Sequence, residues 1–215
     1  MREEVIESIK KNRVIAIVRG VEPSGCLKVA EALYAGGIRL MEITYDQRDP
    51  YSWESTAKTV GALAEAFDGR MLIGAGTVTN TRLVELTHDC GGQYIISPNT
   101  DARVIGRTVE LGMVSIPGAM TPTEIFSAHE AGADFVKLFP ASDLGVSYLK
   151  AVLAPLSHIS LIATGGINPG NAKAFLDAGA VGLGVGGCLT DKAAVAAGEY
   201  YKITQAAEDF LAAIE

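Results

Sequence analysis

Short apolar runs recur along the whole chain, and each is followed by a longer stretch whose apolar residues are spaced three or four positions apart. The runs are rich in β-branched residues, which is typical of buried strands. The longer stretches often begin with Ser, Thr, Asp or Asn and end in glycine, as helices do. The pattern predicts eight strands, at Val14–Arg19, Leu40–Thr44, Met71–Thr77, Tyr94–Ser97, Met113–Pro117, Phe135–Phe139, Leu161–Thr164 and Gly182–Gly186.

Regular alternation of strands and helices predicts an α/β fold with a parallel sheet. No linker or change of composition divides the chain, so we expect a single domain over residues 1–215. Eight strand–helix units favour a closed (β/α)8 TIM barrel. A doubly wound open sheet is the alternative, but no GxGxxG loop follows the first predicted strand. The charged segment before Val14 predicts an extra N-terminal helix that caps the bottom of the barrel.

Composition narrows the class of protein. The 215 residues are 48% hydrophobic and 20% charged, which favours a packed core and excludes a disordered chain. With 18 Lys and Arg against 25 Asp and Glu, the net charge of −7 disfavours nucleic acid as a partner. We expect no membrane association and a cytoplasmic location. No apolar run is long enough to span a bilayer, and the opening MREEVIESIKKNR lacks the apolar core of a signal peptide.

Cysteine and histidine give no sign of a metal or disulfide framework. Three residues of each type lie in separate segments, without the spacing of a zinc site or a paired thiol: Cys26, Cys90, Cys188, His88, His129 and His158. We therefore expect reduced thiols and neither a metal nor a cofactor.

A buried parallel strand should be almost entirely apolar, so charged residues in strands are informative. Lys137 lies in FVKLFP, where it shares a face with Phe135 and Phe139, while Val136 and Leu138 share the other. The aliphatic pair suits packing against helices, which places Lys137 inside the barrel. Desolvation there favours the neutral amine, a nucleophile for carbonyl carbon. The alternative is an ion-paired or snorkelling structural lysine.

Two further residues extend this hypothesis. Glu42 in LMEIT faces the same way as Leu40 and Thr44, so it points into the barrel as a general base or proton shuttle. Its alternative role is a buried ion-pair partner. Thr77 ends the third strand after GAG, where its hydroxyl suits a substrate carboxylate, although threonine is also an ordinary helix cap.

The last two predicted strands end in glycine pairs. TGGIN (Thr164–Asn168) and GVGGC (Gly184–Cys188) lie where barrels commonly bind phosphate through backbone amides. Arg19, at the end of the adjacent first strand, would add a charge-assisted hydrogen bond. The sequence therefore predicts an anion site, with tight turns that need positive φ as the alternative.

Taken together, the blocks AIVRG, MEIT, LIGAGTV, ISPNT, PGAMTPTE, FVKLFPA, ATGGI and GVGG resemble the 2-keto-3-deoxy-6-phosphogluconate / 4-hydroxy-2-oxoglutarate aldolase family. They occur in order over nearly the whole chain. The resemblance implies a class I, Schiff-base aldolase on a (β/α)8 barrel, generally a homotrimer and without a metal. Such an enzyme reversibly cleaves a 2-keto-3-deoxy sugar acid or a 4-hydroxy-2-oxo acid to pyruvate and an aldehyde.

The same resemblance implies roles for individual residues. Lys137 would form the Schiff base with pyruvate, and Glu42 would move protons through a bound water. Thr77 would hold the pyruvyl carboxylate. The pocket would be lined by Pro98 and Phe139, and the distal phosphate would meet Arg19, Gly165, Gly166, Gly186 and Gly187.

Two departures from the family pattern concern anion binding. The family usually has an arginine for the pyruvyl carboxylate where this chain has Asp46, and a carboxylate there would oppose binding. Arg48 is the candidate substitute, and relatives acting on the galactonate-derived substrate also lack the family arginine. Cys188 stands where many members have serine, and a thiol is a weak donor, so the distal group is expected to be smaller or differently charged than a phosphate.

Two other functions stay open from the sequence. Asp46 suggests a regulatory or non-catalytic barrel that binds small acids without turnover. A phosphosugar isomerase or epimerase shares the glycine-rich phosphate loops, but would need a metal-ligand set or a catalytic Cys/Asp pair at the strand ends.

Overall fold

The computed structural model describes residues 2–215. Its strands are β1 (Val14–Val18), β2 (Leu40–Thr44), β3 (Leu72–Gly76), β4 (Tyr94–Ile96), β5 (Val114–Ile116), β6 (Gly118–Ala119), β7 (Val136–Leu138), β8 (Leu161–Thr164) and β9 (Gly182–Val185). Its α-helices are α1 (Arg2–Asn12), α2 (Pro23–Ala35), α3 (Trp53–Ala66), α4 (Thr81–Asp89), α5 (Ala102–Glu110), α6 (Pro122–Glu130), α7 (Ala141–Leu153), α8 (Ala172–Asp177), α9 (Lys192–Ala197) and α10 (Tyr200–Ala212). A short 3-10 helix, Pro50–Ser52, precedes α3.

All strands are parallel, in the order β5-β4-β3-β2-β1-β9-β8-β7-β6. The two strands at the ends of this order are consecutive in the chain and separated only by Pro117. Strand β5 pairs with β4, and β6 pairs with β7. They are thus two parts of one strand, which brings the edges of the sheet together and confirms the predicted (β/α)8 barrel.

The split of this strand is the main difference from the predicted elements. The sequence predicts one strand over Met113–Pro117, and β5 confirms it. Beyond Pro117, which has no N–H to donate to a ladder, the chain continues as β6, which the sequence does not predict. The Pro117 carbonyl still accepts a hydrogen bond from the Lys137 amide at 2.8 Å. The interrupted strand therefore remains joined to β7 beside Lys137.

Alternation along the strands produces two apolar layers. The interior layer fills the barrel and includes Leu40 and Phe135, and α1 adds Val5 and Ile9 to it. Because Leu40 begins β2, helix α1 covers the N-terminal end of the barrel, as predicted. The outer layer, which includes Val136, packs the strands against the surrounding helices.

Several helices start where the sequence places a capping side chain. Asn80 accepts from the Leu83 amide, and Asp101 accepts from Arg103. Thr121 and Glu124 form a reciprocal capping box at α6. These caps fix the first residues of α4, α5 and α6, which follow three of the loops at the C-terminal end of the barrel. Within residues 2–215, no helix has the length and apolar character needed to cross a bilayer.

Candidate active site

Lys137 lies in the middle of β7 with its side chain inside the barrel, where the residue is 6% exposed. Its Nζ lies 4.9 Å from the centroid of the Phe139 ring, over the ring face. Desolvation lowers the pKa of the Lys137 ammonium, the nearby Glu42 partly opposes this change, and Arg19 adds to it. Burial therefore favours the neutral amine, which is the form of lysine that can attack a carbonyl carbon.

Glu42, in the middle of β2, is 2% exposed. Desolvation raises its pKa from the ordinary 4.5 to about 7, against the opposing charges of Lys137 and Arg19. Among the described residues, its Oε2 atom has no hydrogen-bond partner. A buried carboxyl group that titrates near neutral pH and has a free oxygen is suited to general acid–base chemistry.

Glycines on β3 make room for the groups around this carboxyl. A Cβ atom at Gly76 would lie 2.6 Å from the Glu42 Cδ atom, so only glycine leaves space for the carboxyl there. Deeper in the barrel, the Tyr94 ring covers Gly74 in the same way, and its hydroxyl donates to the Met41 carbonyl at 2.6 Å. The Glu42 carboxyl group therefore lies against the backbone of β3 at Gly76, above the apolar interior layer that includes Tyr94.

Thr77 follows β3 in the left-handed region, with φ of 59°. This conformation costs a β-branched residue roughly 1–3 kcal/mol, and such strain clusters at functional sites. Arg19 Nη2 lies 3.5 Å from Thr77 Oγ1, and the Gln47 side-chain amide donates to the Thr77 carbonyl at 2.8 Å. Arg19 and Thr77 thus lie side by side, although the sequence predicts that they bind opposite ends of the substrate.

A cavity of about 730 Å³ opens above Lys137 at the C-terminal end of the strands. It brings together most of the residues predicted from the sequence: Arg19, Thr77, Pro98, Lys137, Phe139, Gly165, Gly166, Gly186, Gly187 and Cys188. Glu42 lies outside this lining because it is buried more deeply. Active sites of this fold occupy this end of the barrel.

The four glycines of the predicted anion site fall into two groups. Gly165 and Gly166 have φ of 96° and 71°, so their turn by itself requires glycine. Gly186 and Gly187 have no positive φ, and a Cβ atom at Gly187 would meet nothing within 4 Å. Neither conformation nor packing explains Gly187, whose missing side chain leaves the cavity open. The thiol of the neighbouring Cys188 points to the Ile167 carbonyl, at 3.5 Å.

Asp46 and Arg48 line a different cavity, of about 710 Å³, which shares Arg19, Thr77 and Lys192 with the first. The Arg48 guanidinium donates to both Asp46 carboxylate oxygens, at 3.1 and 3.0 Å. This pairing lowers the pKa of Asp46 to about 2. The Arg48 side chain is thus turned toward Asp46 and not toward Lys137. The Asp46 carboxylate, which is expected from the sequence to oppose anion binding, is paired with Arg48 outside the lysine cavity.

Sequence reasoning missed five polar residues of the lysine cavity: Thr164, Asn168, Thr190, Asp191 and Lys192. Alternation could have found Thr164, because it shares the inward face of β8 with Ile162. A Cβ atom at Gly184 would lie 2.9 Å from Thr164 Cγ2, which shows how closely β9 approaches it. Lys192 gives no such signal, since it follows a loop and reaches back to Gly20.

The fold and this site define a class of protein: a (β/α)8 barrel that encloses a lysine and a carboxylic acid whose charges interact. Comparison with known proteins agrees. The sequence profile of the family described as KDPG and KHG aldolase matches residues 5–206. The chain therefore belongs to the KDPG and KHG aldolase family, and it is a lyase of the aldolase class.

Three known proteins illustrate this relationship. A 2-dehydro-3-deoxy-6-phosphogalactonate aldolase of Escherichia coli strain K12 is 39% identical over 177 residues, which are 82% of this chain and 83% of that protein. The KDPG aldolase of Legionella pneumophila, solved with pyruvate captured at low pH as a covalent carbinolamine intermediate, aligns with a TM-score of 0.84 at 27% identity, over 94% of this chain and 96% of that one. A chain of a cube-shaped protein cage, designed by fusing symmetric oligomeric domains, aligns with a TM-score of 0.85 at 37% identity. The alignment covers 94% of this chain and 72% of that one.

The two alternative functions lose their basis. The regulatory barrel was suggested by Asp46, which is paired with Arg48 away from the lysine cavity. The isomerase or epimerase is replaced by the family assignment. Among residues 2–215, no group of three His, Cys, Asp or Glu is arranged to hold a metal ion.

Proposed function

We propose that this aldolase cleaves a 2-keto-3-deoxy sugar acid, phosphorylated at its distal end, to pyruvate and an aldehyde through a Schiff base on Lys137. The observation that carries the proposal is the burial of Lys137 in the barrel, with its pKa lowered, beside Glu42 with its pKa raised. The covalent pyruvate intermediate of the Legionella pneumophila relative supports this chemistry.

The proposed reaction starts with attack of the neutral Lys137 amine on the ketone carbon C2. A proton from the solvent then allows the C2 oxygen to leave as water, and a protonated imine remains. The Glu42 carboxylate, acting through a water molecule, accepts the proton of the C4 hydroxyl. The C3–C4 bond breaks as that oxygen becomes the carbonyl of the aldehyde, and the bonding electrons move into the imine to form an enamine. Protonation at C3 and hydrolysis of the imine release pyruvate and restore the amine.

Residues around the lysine have proposed roles in orienting the substrate. The Thr77 hydroxyl binds the pyruvyl carboxylate, and Pro98 and Phe139 form the walls around the reacting carbons. No cofactor takes part in this proposal, because the protonated imine is itself the electron sink.

The test is incubation with pyruvate and borohydride, which reduces a lysine imine to a stable secondary amine. We expect one pyruvate adduct per chain, mapped by peptide mass spectrometry to Lys137. Adduct formation on a lysine other than Lys137, or its absence under conditions that trap a known class I aldolase, would contradict the proposal.

A distal phosphate is proposed to bind between Arg19 and the glycines 165, 166, 186 and 187. This departs from the expectation, drawn from Cys188, of a group smaller than a phosphate or differently charged. The open space at Gly187 supports a phosphate, as does the similarity to the phosphogalactonate aldolase. We therefore expect Arg19→Met to raise the KM of a phosphorylated substrate by about tenfold or more, and that of its unphosphorylated form by much less, since a charge-assisted hydrogen bond contributes about 1.5–3 kcal/mol. The two KM values are measured from the rate of pyruvate release with phosphorylated and unphosphorylated substrates of the gluconate and galactonate type. Equal changes in the two KM values would contradict a phosphate role.

The assembly and location of the protein are also proposals. We propose a single-domain homotrimer in the cytoplasm. A trimer is supported by the resemblance to the family, by the symmetric oligomeric domains of the designed cage, and by Met120 and Phe126, each 45% exposed near α6. A reducing compartment suits the free thiols of Cys26, Cys90 and Cys188.

A further inference from the structure

The loop after β2 carries Gln47, whose side-chain amide has partners for both of its polar atoms. Nε2 donates to the Thr77 carbonyl at 2.8 Å, and Oε1 accepts from the Thr79 hydroxyl at 2.6 Å. Because a carbonyl oxygen can only accept, the amide nitrogen must face Thr77, and the orientation of the group is determined by its surroundings. The side chain therefore ties the β2 loop to the β3 loop.

The bond from Gln47 completes the support of the Thr77–Val78 peptide. The Val78 N–H on the other edge of this peptide donates to the Ile96 carbonyl at 3.2 Å. With one edge held by β4 and the other by Gln47, the peptide cannot rotate without breaking a hydrogen bond. That support matters because Thr77 is in the left-handed region, with φ of 59°, which a β-branched residue leaves when released.

Gln47 acts from outside the lysine cavity. It lines the neighbouring cavity that also contains Asp46 and Arg48, whereas Thr77 lines both. Thr77 therefore faces the cavity that contains Lys137, and Gln47 does not. This arrangement distinguishes a group that orients Thr77 from one that binds substrate directly.

We propose that Gln47 is a positioning residue that holds Thr77 in the conformation in which its hydroxyl receives the pyruvyl carboxylate. The inference rests on the proposed function, since it needs a keto acid on Lys137. The loop after β2 thereby takes part in binding the substrate carboxylate. It does so through Gln47, which holds Thr77, while Asp46 and Arg48 in the same loop pair with each other.

The test is a double-mutant cycle between Gln47→Met and Thr77→Gly. Methionine has the length of glutamine without its hydrogen bonds or a new charge, and glycine adopts positive φ freely while lacking the hydroxyl. The measurement is the pyruvate concentration that gives half-maximal borohydride adduct, together with the maximal adduct. Gln205→Met, on the exposed face of α10, is the matched control, and circular dichroism checks folding.

We expect Gln47→Met to raise the half-saturating pyruvate concentration about tenfold while the maximal adduct is retained. In the Thr77→Gly background the same substitution should have little effect, because no hydroxyl remains to be positioned. Gln205→Met should match the wild type. An unchanged half-saturating concentration in Gln47→Met, or an equal rise in both backgrounds, would overturn the inference. No adduct in the wild type would overturn the proposed function, and this inference with it.

Discussion

Lys137→Met is expected to abolish both pyruvate release and the borohydride-trapped adduct, with a fall in kcat/KM of at least about 10³-fold. Methionine has nearly the volume of lysine and no amine, so the barrel keeps its packing and loses only the nucleophile. The substitution also removes a buried group whose charged form is disfavoured by burial, as its lowered pKa shows. The free energy of unfolding of this variant should therefore equal or exceed that of the wild type.

The matched control for this variant is Lys150→Met, which changes an exposed lysine on α7. It should retain activity and the adduct. For both variants, intact mass spectrometry after borohydride treatment measures the adduct, and denaturant unfolding measures the free energy of unfolding. A Lys137→Met protein that remains folded and still releases pyruvate at a wild-type rate would show that the nucleophile lies elsewhere.

Glu42→Gln is expected to lower kcat by about 10²–10⁴-fold, the usual contribution of a positioned acid–base group. The wild-type rate should fall as the pH drops below about 7, because the carboxylate that accepts the C4 hydroxyl proton becomes protonated. Glutamine does not titrate, so this acidic limb should be missing from the variant. A pH–rate profile of kcat for both proteins measures the effect, and an identical acidic limb in the variant would assign it to another group.

The same substitution is expected to stabilise the protein at alkaline pH. The pKa of Glu42 is raised by the fold, from 4.5 to about 7, so the folded state favours the protonated carboxyl. Its contribution to stability is fully present below about pH 4.5 and is lost as the pH rises through about 7. At pH 8 or above, Glu42→Gln should thus be more stable than the wild type by up to about 3 kcal/mol.

Urea unfolding at pH 4.5 and at pH 8 or above separates this effect from a general change in packing. The two proteins should have nearly equal stability at the lower pH and differ at the higher one. A difference that is the same at both pH values would mean that the ionisation of Glu42 is not its cause. A variant that is more stable but nearly inactive is the pattern expected when a functional group is kept at a cost in stability.

The sequence by itself determined the parts of this protein that depend on periodicity. Alternation in FVKLFP and LMEIT places Lys137 and Glu42 on inward faces, and the structure finds both buried there. The repeat of strands and helices predicted the barrel and the covering of its lower end by α1. Such inferences succeed because a strand or helix repeats its geometry at each residue, so the pattern of apolar positions states which side is buried.

The loops and the closure of the barrel were decided only in the tertiary structure. Pro117 divides the fifth strand, yet β5 and β6 still join β4 to β7 and close the sheet. Asp46 stands where the family pattern has an arginine, and no periodicity could show that Arg48 would pair with it outside the lysine cavity. The bond from Gln47 to Thr77 spans 30 positions in the chain and fixes a strained peptide that neither segment specifies alone. Loop residues have no repeating geometry, so their partners are set by which strand ends the closed barrel brings together.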